Sequence, residues 1–231
     1  FMKVAFIADI HSNMEALDSV FSHIQRQGIT EIVCIGDIVG YGANPNECAT
    51  IIHQKKIPSV QGNHDFSAVS LDKLEKFNQY AQKALNWTSA KLSRDNKIFL
   101  GNLPKFLEIK LEGRSILAVH GSLNDPLFEY IYPQTPDSVV KELLARSKSD
   151  ILVMGHTHIP FIKRFGQRLV LNPGSVGQPR DNVPEASYIS LELDTMKPII
   201  HRVKYDIARA SGKILTFGLP RYLAERLHKG V

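Results

Sequence analysis

The first 65 residues alternate short apolar segments with amphipathic ones, and no other feature of the chain constrains its fold as strongly. Two amphipathic segments begin with helix-start patterns, a capping box from Ser12 to Glu15 and the pair Asn44-Pro45. The apolar segments have the length of strands: KVAFIAD (3–9), EIVCIGD (31–37) and IPSVQGNHD (57–65). Strands joined by helical crossovers pair in parallel. The pattern therefore predicts a mainly parallel central sheet with helices packed on it.

The second half of the chain is richer in strands. Residues 106–121 read as a hairpin that turns at Glu112-Gly113, and Thr135-Pro136 begins a helix whose residues Val139, Val140, Leu143 and Leu144 we expect to be buried. At least five further strands, mostly antiparallel, are predicted within 150–158, 161–175 and 186–205. So many strands predict an α/β fold with two packed sheets flanked by helices.

We expect residues 1–231 to form one domain, with a helical insertion at about 66–104. That segment is long, polar and typical of one or two helices. It either covers a pocket or packs on the sheet edge with no role in substrate binding. The amphipathic segment 219–230 predicts a terminal helix that docks on its own domain.

Composition excludes several classes of protein. With 43% hydrophobic and 22% charged residues, the chain resembles an ordinary globular protein, and no apolar run reaches the roughly 18–20 residues of a membrane span. The net charge of +5 comes from scattered basic residues, so we expect no specific nucleic-acid binding. Two cysteines without paired spacing, Cys34 and Cys48, favour a reducing compartment. Together with a start that leaves no room for a secretory leader, they predict a cytoplasmic protein.

Five apolar strands end in polar residues beside a glycine or a tight turn. The sequences are DIH (9–11), GD (36–37), GNHD (62–65), HG (120–121) and GHTH (155–158). Open α/β sheets collect their ligands at strand ends. The pairs Asp9/His11 and His156/His158 are spaced i, i+2, which on extended backbone directs both side chains to one side. Each motif alone commonly serves as a helix cap or a hydrogen-bonded polar group. Five such motifs together are hard to explain by structural roles alone.

The donors at these strand ends exceed what one metal ion takes from a protein. They are carboxylate oxygens of Asp9 and Asp37, the amide oxygen of Asn63, and imidazole nitrogens of His11, His120, His156 and His158. Seven side chains suit two divalent transition-metal ions that share a bridging carboxylate. Imidazole and carboxylate without sulfur favour Mn²⁺, with Fe, Zn²⁺ or Ni²⁺ as alternatives. Two such ions about 3.5–4 Å apart catalyse phosphoryl displacement, so phosphate ester hydrolysis is the predicted reaction class.

The ordered motifs DIH, GD, GNHD, HG and GHTH resemble those of the calcineurin-like metallophosphoesterase superfamily, and NPGSVGQPRD (172–181) resembles a loop of its compact prokaryotic phosphodiesterases. The resemblance implies a four-layer α/β-β/α sandwich of two mixed sheets flanked by helices, with both metals at its edge. It also implies a first metal on Asp9, His11, Asp37 and His158, and a second on Asp37, Asn63, His120 and His156. Asp37 would be the bridge.

His64, next to Asn63, is the candidate catalytic residue, and we expect it to protonate the leaving oxygen or stabilise charge on the phosphoryl oxygens. Asp65 would orient its imidazole or cap the turn. Phosphoprotein phosphatases of the superfamily carry G-D-x-x-D-R-G, whereas this chain has Gly40 and Tyr41 in place of Asp-Arg. Such a phosphatase is therefore disfavoured. The candidate substrate-binding residues are Asn13, Tyr41 and Arg180, each with a local structural role as the alternative.

The sequence thus predicts a dinuclear phosphoesterase that hydrolyses phosphodiester bonds by in-line attack of a metal-bridging hydroxide. The diester preference comes from the resemblance alone. A phosphomonoesterase or a dinucleoside polyphosphate hydrolase is the enzymatic alternative, and a non-catalytic metal-binding scaffold is the alternative from another class. Loss of a ligand or of His64 would have indicated the scaffold, and neither is lost. The expected partner is a small phosphate ester such as a nucleotide, and a homodimer is compatible with the chain.

Overall fold

The computed structural model describes residues 2–231 and contains two mixed sheets. The first sheet has the strand order β2-β1-β8-β9 and the second has the order β3-β4-β5-β7-β6. Within residues 2–231 the strands are β1 (Lys3–Ile7), β2 (Glu31–Cys34), β3 (Phe106–Leu111), β4 (Arg114–Val119), β5 (Ile151–Val153), β6 (Phe161–Phe165), β7 (Arg168–Asn172), β8 (Ala186–Glu192) and β9 (Lys197–Val203). Parallel pairs join β1 to β2, β4 to β5 and β5 to β7, and the other pairs are antiparallel.

Helices flank both sheets. The α-helices in the same residues are α1 (Met14–Arg26), α2 (Pro45–Gln54), α3 (Asn63–Ser70), α4 (Gln79–Lys91), α5 (Arg94–Gly101), α6 (Asp137–Ser147), α7 (Ile207–Thr216) and α8 (Arg221–Glu225). Short 3₁₀ helices cover Leu74–Lys76 and Arg226–His228. The longest helices have 13 residues, and none within residues 2–231 has both the length and the apolar character of a membrane span.

The apolar core lies in layers, as the four-layer sandwich predicts. Between the sheets, side chains of alternate residues such as Phe6 and Val153 are fully buried against each other's sheet. The other face of the first sheet packs on α1 and α2 through residues such as Leu17 and Ile52. The outer face of the second sheet packs on α6 through residues such as Leu143. The prediction of an α/β fold with two mixed sheets flanked by helices is confirmed.

The predicted third strand, 57–65, is wrong. This segment makes one isolated parallel bridge, between Ser59 and Cys34, and α3 already begins at Asn63. Pro58 has no N–H to extend the ladder toward β2, and the amide of Gly62 donates to Oδ2 of Asp65 instead of a strand carbonyl. The segment therefore delivers Asn63 and His64 to the sheet edge on a helix N-terminus.

Two smaller sequence predictions also need correction. The N-cap of α1 is Asn13, whose Oδ1 accepts a hydrogen bond from the amide of Ala16, while the Ser12 hydroxyl accepts one from the amide of Gly40. In α6, Val139 is 41% exposed rather than buried. The hairpin turn at Glu112-Gly113 and the docking of the C-terminal helix, through Leu223 and Leu227, are as predicted.

The proposed insertion at about 66–104 contains the end of α3, the 3₁₀ turn Leu74–Lys76, α4 and α5. Its residues 76–78 and Ala81 line a cleft that opens above the ends of the central strands. Helix α4 also packs on the C-terminal helices through Ala81 and Ala84. Part of the segment thus lies at the cleft and part packs against the rest of the chain.

Candidate metal centre

The seven predicted metal ligands lie together at the edge of the sandwich between the two sheets. They follow β1 (Asp9, His11), β2 (Asp37), β4 (His120) and β5 (His156, His158), and Asn63 begins α3. Each of the seven residues is at most 3% exposed. Burying so many ionisable groups together is unfavourable in free energy unless opposite charges compensate each other.

One group of donor atoms belongs to Asp9, His11 and His158. The Nε2 atoms of the two histidines are 3.0 Å apart. Oδ1 of Asp9 is 3.4 Å from Nε2 of His158 and 3.8 Å from Nε2 of His11. Ligand atoms held at about 2.0–2.2 Å from one ion lie about 3.0–3.5 Å from each other, so the group has the spacing of a metal site.

A second group consists of Asp37, His120 and His156, joined by Asn63. Nε2 of His120 lies 3.0 Å from Oδ1 of Asn63, 3.2 Å from Nδ1 of His156 and 3.4 Å from Oδ2 of Asp37. The same Asp37 oxygen is 3.6 Å from Nε2 of His11, in the first group. One carboxylate oxygen therefore stands between both groups, where a bridging ligand belongs.

The hydrogen bonds of the imidazole rings direct lone pairs toward this centre. Nδ1 of His11 donates to the carbonyl of Val39 (3.2 Å), and Nδ1 of His158 donates to that of Gln178 (2.5 Å). Burial holds the pKa of both histidines well below the usual range, so both rings are neutral. Their Nε2 atoms then carry no proton and face each other as two lone pairs. A cation between them removes the repulsion.

Each central carboxylate has one anchored oxygen and one free oxygen. Oδ2 of Asp9 accepts from the amide of His156 (3.1 Å), and Oδ1 of Asp37 accepts from the amide of His64 (2.8 Å). Oδ1 of Asp9 and Oδ2 of Asp37 are buried without any hydrogen-bond donor. Unpartnered buried oxygens that point into a ring of imidazole nitrogens fit divalent cations, so the residues present match the predicted metals.

The pKa values of the buried groups also indicate that a cation fits this centre. Burial raises the pKa of Asp9 to about 8, and the neighbouring Asp37 carboxylate adds to that shift. Burial alone would lower the pKa of His120, but Asp37 outweighs it and raises that pKa to about 9. Without a metal, a proton on His120 thus balances part of the carboxylate charge. Metal binding would displace that proton.

The backbone around the ligands is folded into tight turns rather than extended strand. Asp9, His11, Asp37, His156 and His158 all have φ between 49° and 68°. The paired side chains reach one centre because the chain turns there, and not through the extended i, i+2 geometry that the sequence suggested. Left-handed conformations at non-glycine residues cost of order 1 kcal/mol or more each, and they cluster at functional sites.

Gly62 is required by this close packing. A Cβ atom at residue 62 would lie 2.0 Å from Oδ1 of Asp37 and 2.3 Å from its main-chain nitrogen. Any larger residue would push the bridging carboxylate out of place.

His64 lies beside the donor groups. Its ring centroid is 4.7 Å from that of His11 and 4.4 Å from that of Tyr41, and its Nδ1 is buried without a partner. Gly40, with φ of 103°, makes room for the ring, because a Cβ there would be 2.5 Å from Nδ1 of His64. Gly40 and Tyr41 stand where phosphoprotein phosphatases carry Asp-Arg. His64 therefore packs against the backbone of a glycine and against an aromatic ring.

Asp65 does not orient His64. Its Oδ1 accepts from the amide of Val39 (3.1 Å) and its Oδ2 from the amide of Gly62 (3.0 Å). The alternative role, capping the turn at the start of α3, is the one that the geometry supports. Asp65 thereby holds the backbone of the two loops that carry Asp37 and Asn63.

A cleft of about 530 Å³ opens over the centre. Tyr41 and Arg180, two of the three candidate substrate-binding residues, line it, and Arg180 donates to the Tyr41 hydroxyl (3.3 Å). Asn13 does not line this cleft, because its side chain caps α1 and donates to the carbonyl of Gly177. Sequence reasoning missed several lining residues: Lys76, Phe77, Phe128, Tyr130 and Arg226. No motif marks them, since they come from segments far from the strand ends.

Comparison with known proteins identifies related chains. Residues 2–196 match the family model described as the calcineurin-like phosphoesterase superfamily domain. An uncharacterized protein of Methanocaldococcus jannaschii is 40% identical over 98% of each chain. The solved structure of a metallophosphoesterase from Sphaerobacter thermophilus is 34% identical, with a TM-score of 0.85 over 100% of this chain and 99% of that one. The phosphodiesterase YfcE of Escherichia coli is 25% identical over 86% of this chain and 91% of its own.

The shared Asp37 oxygen predicts the metal content of a variant. We expect Asp37→Ala to lose metal from both donor groups, because each group would lose a carboxylate ligand and the bridge between them. Elemental analysis after loading with Mn²⁺ and desalting should give about two ions per chain for the wild type and far fewer for the variant. Asp125→Ala, which removes a half-exposed acid of the same cleft, should keep the wild-type content. Two ions retained by a folded Asp37→Ala would refute the bridging role.

Proposed function

This chain belongs to the calcineurin-like phosphoesterase superfamily, and from that premise we propose that it hydrolyses phosphodiester bonds with two divalent metal ions. The observation that carries the proposal is the unpartnered Oδ2 of Asp37, which faces donor nitrogens of both groups. Phosphoryl transfer is the chemistry for which paired divalent ions are suited.

Two observations support a diester substrate. The Escherichia coli relative named as a phosphodiesterase aligns over most of the chain. Gly40 and Tyr41 replace the Asp-Arg pair of the phosphoprotein phosphatase motif, so a phosphate-gripping arginine is missing from that position. A small phosphate ester that fits the 530 Å³ cleft is the proposed substrate.

We propose Mn²⁺ as the metal, with Fe, Zn²⁺ and Ni²⁺ as alternatives, because the donors are imidazole, carboxylate and amide without thiolate. Bound ions would supply Lewis acidity toward a phosphoryl oxygen and a water of lowered pKa. The chain contributes the arrangement of the donors. Main-chain carbonyls fix the His11 and His158 rings, and main-chain amides fix one oxygen of each carboxylate.

His64 is the proposed catalytic residue. Burial lowers its pKa to about 4, so the imidazole is neutral near pH 7 and offers one N–H and one lone pair. An anionic phosphate beside the ring would raise that pKa and favour hydrogen-bond or proton donation from it. His64 would then donate to the leaving oxygen or to a phosphoryl oxygen. Asp65 supports this role only indirectly, through the backbone that it caps.

We also propose a reducing compartment, the cytoplasm, as the location. Cys34 and Cys48 are buried free thiols, in agreement with this proposal. Assembly as a homodimer stays a prediction.

The proposed function can be tested with aryl phosphate esters. Metal-stripped protein should hydrolyse neither a 4-nitrophenyl monoester nor the matched bis(4-nitrophenyl) diester. Adding Mn²⁺ should start hydrolysis, with higher kcat/KM for the diester, as measured by nitrophenolate release. Faster monoester cleavage would favour a phosphomonoesterase, and metal binding without any turnover would favour a scaffold.

Removing the His64 imidazole should lower kcat by about 10²–10⁴-fold on an alkyl diester, whose poor leaving group needs a proton. The loss should be smaller on the nitrophenyl ester, because nitrophenolate leaves without one. Metal content of His64→Ala should stay at the wild-type value. His53→Ala, which removes an exposed imidazole stacked on Phe99, is the matched control and should leave both rates unchanged. Equal losses on both esters would argue against proton donation by His64.

A further inference from the structure

The C-terminal 3₁₀ helix places a buried arginine in the cleft. Arg226 is 8% exposed and lines the same cleft as Asp37 and His64. Its guanidinium carbon lies 5.3 Å from the ring centroid of Tyr222, and its Nε donates to the main-chain oxygen of Val231. These contacts orient the side chain, and no Asp or Glu carboxylate of residues 2–231 pairs with its charge.

Arg180 is a second cation of this kind. One Nη donates to Oε1 of Gln178 (2.9 Å) and to the Tyr41 hydroxyl (3.3 Å), while Nε is buried without an acceptor. Within residues 2–231, no Asp or Glu carboxylate lies within 4.0 Å of either guanidinium, whereas Arg202 and Arg221 pair with Asp181 and Glu225. Arg180 and Arg226 thus bring two guanidinium charges to the cleft with no Asp or Glu partner in that part of the chain.

The two guanidinium charges repel each other. Burial and, after it, the charge of Arg180 lower the pKa of Arg226 to about 10. The guanidinium nevertheless stays charged at neutral pH. Holding two like charges in a partly desolvated cleft is unfavourable without an anion between or beside them. Apart from Asp37, which the proposed metal ions would engage, the acids of the cleft pair elsewhere, Asp125 with Lys76 and Glu129 with Ser122.

The scissile phosphate does not need this charge. In the proposed function two divalent ions would bring four positive charges, and Asp9, Asp37 and a hydroxide nucleophile would offset three of them. The one that remains balances the single negative charge of a diester phosphate. Two further cations in the cleft therefore suit an additional anionic group.

We propose that Arg226, together with Arg180, binds a second phosphate of the substrate, and that the preferred diesters are nucleotides carrying a phosphate beyond the scissile one. This inference rests on the proposed function. Arginine suits the role because its planar donors bind phosphate in a bidentate manner. Phe77, Phe128 and Tyr130, which line the same cleft, add apolar surface against which a nucleobase can pack.

Two pairs of probes that differ only in a remote phosphate test the inference. The first pair is thymidine 5′-monophosphate and thymidine 3′,5′-bisphosphate, whose binding to the Mn²⁺-loaded protein is measured by calorimetry. The second pair is thymidine 5′-(4-nitrophenyl phosphate) and its 3′-phosphorylated analogue, whose kcat/KM is measured by nitrophenolate release. In the wild type, the 3′-phosphate should raise affinity and kcat/KM by about 10–100-fold.

Variants of Arg226 assign that gain to its side chain. Arg226→Gln should reduce the gain to about twofold or less, and Arg226→Lys should keep part of it, because lysine retains charge without the bidentate geometry. Arg221→Gln, at an exposed position of the preceding helix, is the control and should keep the full gain. No gain in the wild type, or a full gain in Arg226→Gln, would overturn the inference.

The two readouts separate this inference from the proposed function. If no ester is cleaved but the bisphosphate binds more tightly, the proposed function fails while the second phosphate site stands. If the unphosphorylated diester is cleaved and the 3′-phosphate changes neither affinity nor kcat/KM, the proposed function stands and the second site is refuted. If Arg226→Gln does not fold, the inference is tested by the gain from the 3′-phosphate in the wild type and by the part of that gain that Arg226→Lys keeps.

Discussion

The arrangement of the whole site depends on two carboxylates, those of Asp9 and Asp37, that are buried among histidines. Each keeps one oxygen in main-chain hydrogen bonds and leaves the other without a donor at the junction of the two sheets. Such a pair cannot stay ionised in a dry environment unless cations are present. The imidazole nitrogens around them are turned so that their lone pairs face the same space. Divalent metal ions satisfy both requirements together, which links the packing of the sheets to the proposed chemistry.

The sandwich supports this centre through rigid elements. Strands β1, β2, β4 and β5 are almost fully buried near their C-terminal ends, so the loops that follow them start from fixed positions. Tight left-handed turns then direct the ligands inward, and Gly62 lets the backbone approach Asp37 closely. Functional groups placed on short loops between packed strands keep the precise spacing that shared metal ligands need. The cleft above is formed by more distant segments, which leaves room for substrate specificity to vary.

Much of this arrangement could be predicted from the sequence, because apolar segments that end in Asp, His and Gly mark strand ends directly. The layered α/β fold and the convergence of residues 9, 11, 37, 63, 120, 156 and 158 follow from that pattern. The strand at 57–65 was wrong, since Pro58 has no N–H and the amide of Gly62 donates to Asp65 instead of to β2. Arg226 could not be found, because its position in the cleft depends on how the C-terminal helices pack on α4. The capping role of Asp65 likewise depends on two backbone amides, in separate loops, that sequence does not bring together.

Anomalous diffraction can show whether one Asp37 oxygen joins two cation sites. Crystals of the protein grown with Mn²⁺ should be measured on both sides of the manganese absorption edge, so that the difference map shows manganese alone. We expect one peak on each side of Asp37, one beside His11 and His158 and the other beside His120 and His156. A single peak, or peaks that do not contact Asp37, would refute the bridging role of this residue.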